Sequence, residues 1–263
     1  MKDVLGNVLK KKSQKRKLLL PYLTFGYPEI ESFTEILKSL DPELVDALEI
    51  GIPHSDPVAD GPIIQESSQQ ALTLGVTPQM VFEKMQTLKL PFPLIAMTYG
   101  NIVYQYGIEK FGQNFRKAGF YGLIVADFPL EAKSLLGNLE NLLSIILLAS
   151  TTTSKERLEK IARESQGFVY LVSGKGVTGK TRIQQEELRE VVTIIKSTTD
   201  LPVLVGFGID SPEKAREIVS FCDGVIIGSA LLHFINQNKK DRNLPQLVND
   251  FLRNFRKALS KIK

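Results

Sequence analysis

Short apolar runs rich in Leu, Ile and Val alternate along the whole chain with longer stretches whose apolar residues recur every three or four positions. The short runs read as buried strands and the longer ones as amphipathic helices. Strands are predicted over 18–24, 47–51, 94–97, 122–126, 144–149, 168–173, 202–206 and 224–228. Helices are predicted over 29–40, 78–88, 108–118, 155–164, 186–197 and 212–219, several of them opened by capping residues such as Thr77-Pro78, Ser154 and Ser211-Pro212. The stretch after Leu130 carries no clean period.

Strand–helix alternation of this kind builds a parallel sheet, and eight such strands close most economically as a (β/α)8 TIM barrel. An open doubly wound sheet is the alternative architecture. No Pro-, Gly- or Ser-rich linker divides the 263 residues. The expectation is therefore one barrel domain over 1–263 with short extra helices, its first strand preceded by a basic segment at 1–17.

Charge and composition narrow the class further. Net charge is +4, yet residues 10–17 alone contribute +6, so the remaining 255 residues carry −2. The basic cluster reads as an N-terminal helix or turn, not as a nucleic-acid surface. Cys222 is the only cysteine, which excludes an intrachain disulfide and a multi-cysteine zinc site and suits a reducing compartment. The longest nearly apolar run, 142–149, falls far short of the roughly 20 residues of a membrane span, and Met1-Lys2-Asp3 leads into no signal-type apolar core. A cytoplasmic protein without a membrane partner is expected.

In a barrel the chemistry belongs at the C-terminal ends of the strands. Glu49 sits inside the apolar run of the second strand between Leu48 and Ile50, so strand alternation turns it toward the barrel mouth. Burial there raises a carboxyl pKa toward neutrality, as a general acid–base requires. Asp60 follows on a Pro- and Gly-rich loop that brings a second carboxylate back over the strand end. The structural alternatives are a Glu49 paired with lysine or backbone amides and an Asp60 that caps the helix after Gly61-Pro62.

Glycines close two successive late strands, in Gly206-Phe207-Gly208 and Gly228-Ser229. Backbone amides at such positions approach a phosphate closely, which implies a phosphorylated small substrate. The segment Gly174-Lys175-Gly176-Val177-Thr178-Gly179-Lys180-Thr181 fits both the dinucleotide and the Walker A patterns. No later strand ends in the acidic residue either site needs, so it reads as a loop over a phosphate. Two histidines, His54 and His233, leave little material for a histidine metal site or a serine triad. Tyr22, Tyr99 and Tyr170 fall at or near strand ends one, three and six, where aromatic rings line an apolar pocket or pack in the core.

With these residues in view, the chain resembles the tryptophan synthase α-subunit family. The resemblance rests on Glu49-Ile50-Gly51-Ile52-Pro53-x-Ser55-Asp56-Pro57-x-Ala59-Asp60-Gly61-Pro62, supported in order by Tyr99-Gly100-Asn101, Val125-Ala126-Asp127, Gly176-Val177-Thr178-Gly179 and Gly206-Phe207-Gly208-Ile209. It implies a barrel lyase that cleaves indole-3-glycerol phosphate to indole and glyceraldehyde 3-phosphate without a metal or an organic cofactor of its own. By the same resemblance Glu49 moves the protons, Asp60 holds the indole N–H, Tyr22, Tyr99, Tyr170 and Thr178 border the indole, and Gly179, Gly208, Gly228 and Ser229 hold the phosphate. The implied partner is a pyridoxal-phosphate β subunit in an αββα complex, met through Pro53, Asp56 and Asn101. His54 departs from the phenylalanine usual in the family, and Gly174 and Lys175 also depart. A second reading, a catalytically weak α-like subunit that mainly activates a β subunit, and a third, a P-loop nucleotide binder, stand beside the lyase.

Overall fold

The computed structural model describes residues 3–172, 182–206 and 208–260. The strands are β1 (Leu18–Thr24), β2 (Leu48–Gly51), β3 (Leu94–Thr98), β4 (Phe120–Val125), β5 (Ser144–Ile145), β6 (Leu147–Ser150), β7 (Val169–Val172), β8 (Val203–Gly206) and β9 (Gly224–Ile227). All pair in parallel, in the order β5-β4-β3-β2-β1-β9-β8-β7-β6. The two ends of that order are consecutive pieces of one run, so the sheet closes on itself through residues 144–150.

The predicted strand 144–149 is thus two short strands around Ile146. The break follows from side chains that take over the ladder: Ile145 N donates to the Gln166 side chain at 2.9 Å and Leu147 N to Ser165 Oγ at 3.1 Å. The chain passes there from pairing with β4 to pairing with β7. The other predicted strands appear within a few residues of their expected ends, and the helices Lys155–Glu164 and Pro212–Val219 match the expectation at both ends. The aperiodic stretch after Leu130 is a 3-10 segment, Leu130–Asn141, broken where Gly137 takes φ +54°.

Helices over Val4–Ser13, Pro62–Thr73, Gly100–Tyr106, Ser229–Asn238 and Leu244–Leu259 complete the fold. The last was legible in principle, since Leu244, Val248, Leu252, Phe255 and Leu259 recur at helical spacing and are all buried. It packs against the helices Ile30–Ser39 and Pro212–Val219.

The basic N-terminal segment closes the lower end of the barrel. Leu5 fills the space that side chains at Gly122 and Gly167 would otherwise take, where an added Cβ would lie 2.6 and 3.0 Å from Leu5 Cδ2. Asp3 accepts from Gly6 N at 2.8 Å, Gly167 N at 2.7 Å and Ser144 Oγ at 2.6 Å. Asp46, fully buried just before β2, accepts from Leu19 N at 2.9 Å, Arg16 Nη2 at 2.7 Å and Arg256 Nη2 at 2.6 Å. Burial opposes its ionisation, but Arg256, the Leu19 amide and Arg16 outweigh that and hold the carboxyl below its ordinary range. Lys10 pairs with Asp200 at 3.0 Å and Lys17 donates to the Cys222 carbonyl at 2.8 Å. Much of the basic run is therefore committed within the chain.

Candidate active site

The barrel mouth opens on a cavity lined by Glu49, Tyr22 and Tyr170 together with Gly208, Gly228 and Ser229. Ile64, Met97, Ile209 and Ile226 supply apolar wall. Two constellations read separately from the sequence, the strand-two carboxylate and the late-strand glycines, thus face one space.

Glu49 is fully buried, and among the described residues neither carboxylate oxygen has a hydrogen-bond partner, whether lysine or backbone amide. Burial, reinforced by the charge of Asp60, pushes its pKa up to about 8, so the group holds its proton at neutral pH. Asp60 reaches the same region because its loop folds back: Asp60 N donates to Pro57 O at 3.0 Å and the Gln65 side chain to Asp60 O at 2.9 Å. The following helix begins at Pro62 with Gly61 as its uncapped N-cap, so Asp60 is not a cap. Its carboxylate instead accepts from the Tyr99 hydroxyl at 2.9 Å. Burial raises the Asp60 pKa to about 6, with Tyr99 and His54 pulling against it.

Tyr22 and Tyr170 line the cavity, and Tyr99 stands beside it with Asp60. Its hydroxyl, besides binding Asp60, accepts from Ala59 N at 3.2 Å. The His54 ring stacks on Tyr99 at 4.7 Å between centroids, and His54 Nδ1 accepts from Asp56 N at 3.0 Å. The aromatic role that the resemblance gives to a phenylalanine at this position is filled here by an imidazole.

Glycine has three separate uses at this end of the barrel. Gly208, at φ +66°, holds a left-handed turn. Gly228 precedes the helix Ser229–Asn238, whose first residues, Ser229 and Ala230, line the cavity with it. Gly206, grouped in the sequence with the phosphate glycines, makes room for Tyr170, since a Cβ there would lie 2.2 Å from the phenol oxygen. Gly51 does the same for Tyr22 at 2.0 Å. Gly206→Ala is expected to displace Tyr170, lowering kcat/KM at least tenfold and stability by about 1–3 kcal/mol through overpacking. Steady-state kinetics with a thermal melt check this, and unchanged values of both would refute the close fit.

Thr178 and Gly179, with the rest of the 174–181 motif, lie outside the described residues. Cys222 is buried and its thiol is pushed up to about 12 by burial, which leaves it inert. Among the described residues no helix is long and apolar enough to cross a membrane. Pro53 is buried, whereas Asp56 and Asn101 are exposed. Beside them stand two apolar residues the sequence reading passed over, Val58 and Tyr104, at 70% and 73% exposure. No periodic signal marks them, because Val58 lies in a loop and Tyr104 in a helix of only seven residues, Gly100–Tyr106.

A closed parallel barrel with an unpaired, proton-holding carboxyl at its mouth, facing glycine-rich strand ends, defines an acid–base enzyme of the (β/α)8 class. The family model described as tryptophan synthase alpha chain matches residues 8–260, and the chain belongs to that family. It is 41% identical to the tryptophan synthase alpha chain of Petrotoga mobilis over 86% of this chain and 89% of that one. With the protein of the same name from Dehalococcoides mccartyi it shares 41% identity over 94% and 96% of the two chains. Among solved structures, tryptophan synthase subunit alpha from Legionella pneumophila superposes with a TM-score of 0.84 at 32% identity, covering 98% of both chains. A tryptophan synthase structure from Mycobacterium tuberculosis gives 0.83 at 33%, over 96% and 98%.

The family's reaction is the carbon–carbon lyase cleavage of indole-3-glycerol phosphate to indole, within tryptophan biosynthesis. The α subunit carries no cofactor of its own and works in an αββα complex with a β subunit that holds pyridoxal phosphate. The mainly regulatory reading is not favoured, since both carboxylates are present, Glu49 lining the cavity and Asp60 close enough to act on it through its charge.

Proposed function

We propose that Glu49 and Asp60 divide the work of the lyase reaction, and that the chain acts as one barrel domain in the cytoplasm. The observation that carries the reading is Glu49 itself: a fully buried carboxyl, unpartnered among the described residues, lining one cavity with Gly208, Gly228 and Ser229. The substrate's phosphate sits on those backbone amides, which leaves its indole and three-carbon arm beside Glu49, Tyr22 and Tyr170. Asp60, ionised above about pH 6, turns from Tyr99 to accept the indole N–H. Protonated Glu49 then gives its proton to the indole C3, producing a cationic ring that Asp60 stabilises. The Glu49 carboxylate next takes the proton of the side-chain hydroxyl adjacent to the breaking bond. The carbon–carbon electrons return to the ring, releasing indole and an aldehyde and restoring protonated Glu49.

Thr178 and Gly179 belong to this reading by family resemblance. The β subunit is met through Asp56 and Asn101, with Val58 and Tyr104 as apolar anchors and Pro53 shaping the loop from beneath. Asp60→Asn tests the division of roles. It keeps the size of the side chain and removes the charge, so kcat/KM for indole release should fall about 10²-fold. Retention of more than a third of the activity would remove Asp60 from the mechanism.

A further inference from the structure

Beneath the cavity wall runs a chain of buried hydroxyls that the reaction as described does not use. Tyr22 and Glu49 are register partners on β1 and β2, and both face the cavity. Thr24 Oγ1 donates to the Tyr22 hydroxyl at 3.4 Å and lies 2.6 Å from Ser67 Oγ, and Ser67 Oγ is 2.8 Å from the Ile64 carbonyl. Tyr22, Thr24 and Ser67 are all buried. Each hydroxyl carries one proton, so with the Thr24 proton on Tyr22 the short Thr24–Ser67 contact is filled by the Ser67 proton, and the phenol proton is left free for the cavity.

We propose that Thr24 and Ser67 are positioning residues that hold the Tyr22 phenol as a hydrogen-bond donor to the substrate hydroxyl oxygen that Glu49 deprotonates. The inference rests on the reading of Glu49 given above. Among the described residues neither oxygen of Glu49 has a donor of its own, so another group must hold the hydroxyl in line, and Tyr22 is the register partner of Glu49 and lines the same cavity. A buried donor needs an acceptor, and a substrate oxygen in reach of the free phenol proton supplies it. Burial keeps the Tyr22 proton far above its ordinary range, so the phenol arrives as a donor.

The test is kcat/KM for indole release, measured with a β subunit present, in Tyr22→Phe, Thr24→Val, Thr24→Ser and the double variant Tyr22→Phe/Thr24→Val. The proposal expects Tyr22→Phe and Thr24→Val each to lose about 3- to 10-fold, the worth of one hydrogen bond. Thr24→Ser, which keeps the hydroxyl, should retain activity near that of the unmodified chain, and the double variant should be no worse than Tyr22→Phe alone. A Thr24→Val that merely loosens the fold would carry its loss into the double variant, and such additivity overturns the relay. Full activity in Tyr22→Phe also overturns it. Glu49→Gln is run beside these: if it stays active, the reading of Glu49 falls and the relay with it, whereas an inactive Glu49→Gln with additive losses removes the relay alone.

Discussion

Glu49→Gln should abolish indole release from indole-3-glycerol phosphate, by 10² or more, alone or with a β subunit, because the amide neither gives nor takes a proton. The variant should fold, since Gln is nearly isosteric and Glu49 makes no hydrogen bond that would be lost. The pH dependence of the unmodified chain sharpens the expectation. Catalysis needs Asp60 ionised and Glu49 protonated, so kcat/KM should rise through about pH 6 and fall through about pH 8. Asp60→Asn should lose the acidic limb and keep the alkaline one.

The same carboxyl makes a stability prediction with a definite sign. Its pKa is raised from 4.5 unfolded to about 8 folded, so the folded chain holds this proton more tightly than the unfolded chain. Below the unfolded value both states are protonated and nothing is lost. As pH rises toward the folded value the unfolded state ionises freely, and stability declines by an amount on the order of 3–5 kcal/mol. Glu49→Gln, which never ionises, should therefore melt higher at pH 9 than the unmodified chain, with the advantage shrinking toward pH 5. An advantage that does not change with pH, or activity within tenfold of the original, would mean that Glu49 is not the buried acid described.

Asp46→Asn should be the most damaging single change away from the mouth, costing about 3–5 kcal/mol, or on the order of 10 °C in Tm. The carboxylate joins Arg16 before β1, Arg256 on the last helix and the Leu19 amide on β1, and is itself fully buried, although Arg16 keeps 33% of its side chain exposed. An amide there leaves two guanidinium groups short of a counter-charge in a buried site. Because the network lies at the end opposite the cavity, kcat/KM of the folded variant at low temperature should be unchanged. A loss below about 1 kcal/mol in denaturant unfolding would show that the network is dispensable. Its contribution should also fade in acid, since the folded-state pKa is lowered and the stability it gives is lost as pH falls through that value.

Neither role was marked by residue type alone. Asp46 reads as one more acidic residue near a strand, and the lysines and arginines of 10–17 read as a free basic face, because ion pairing between residues 27 to 210 positions apart leaves no local period. Glu49 was legible because a charge inside an alternating apolar run has only one sterically sensible face. Tyr99 looked like Tyr22 and Tyr170, yet the contact that distinguishes it is its hydrogen bond to the second carboxylate. Gly206 looked like a phosphate glycine, yet what requires it is the Tyr170 ring packed across it.

The periodicity by itself determined the parallel strands and most of the helices that fill the crossovers, and with them the end of the barrel that carries the chemistry, since strand and helix periods are local properties of the chain. The motif around Glu49 and Asp60 determined the family. Only the tertiary structure decided that Glu49 stands without a partner, that Asp60 rests on Tyr99, that 144–150 closes the sheet as two strands, and that the basic segment seals the opposite end. Those are contacts between distant positions, and which of them form depends on the packing of the closed barrel, where burial and proximity set both the pairing and the proton affinity of each group.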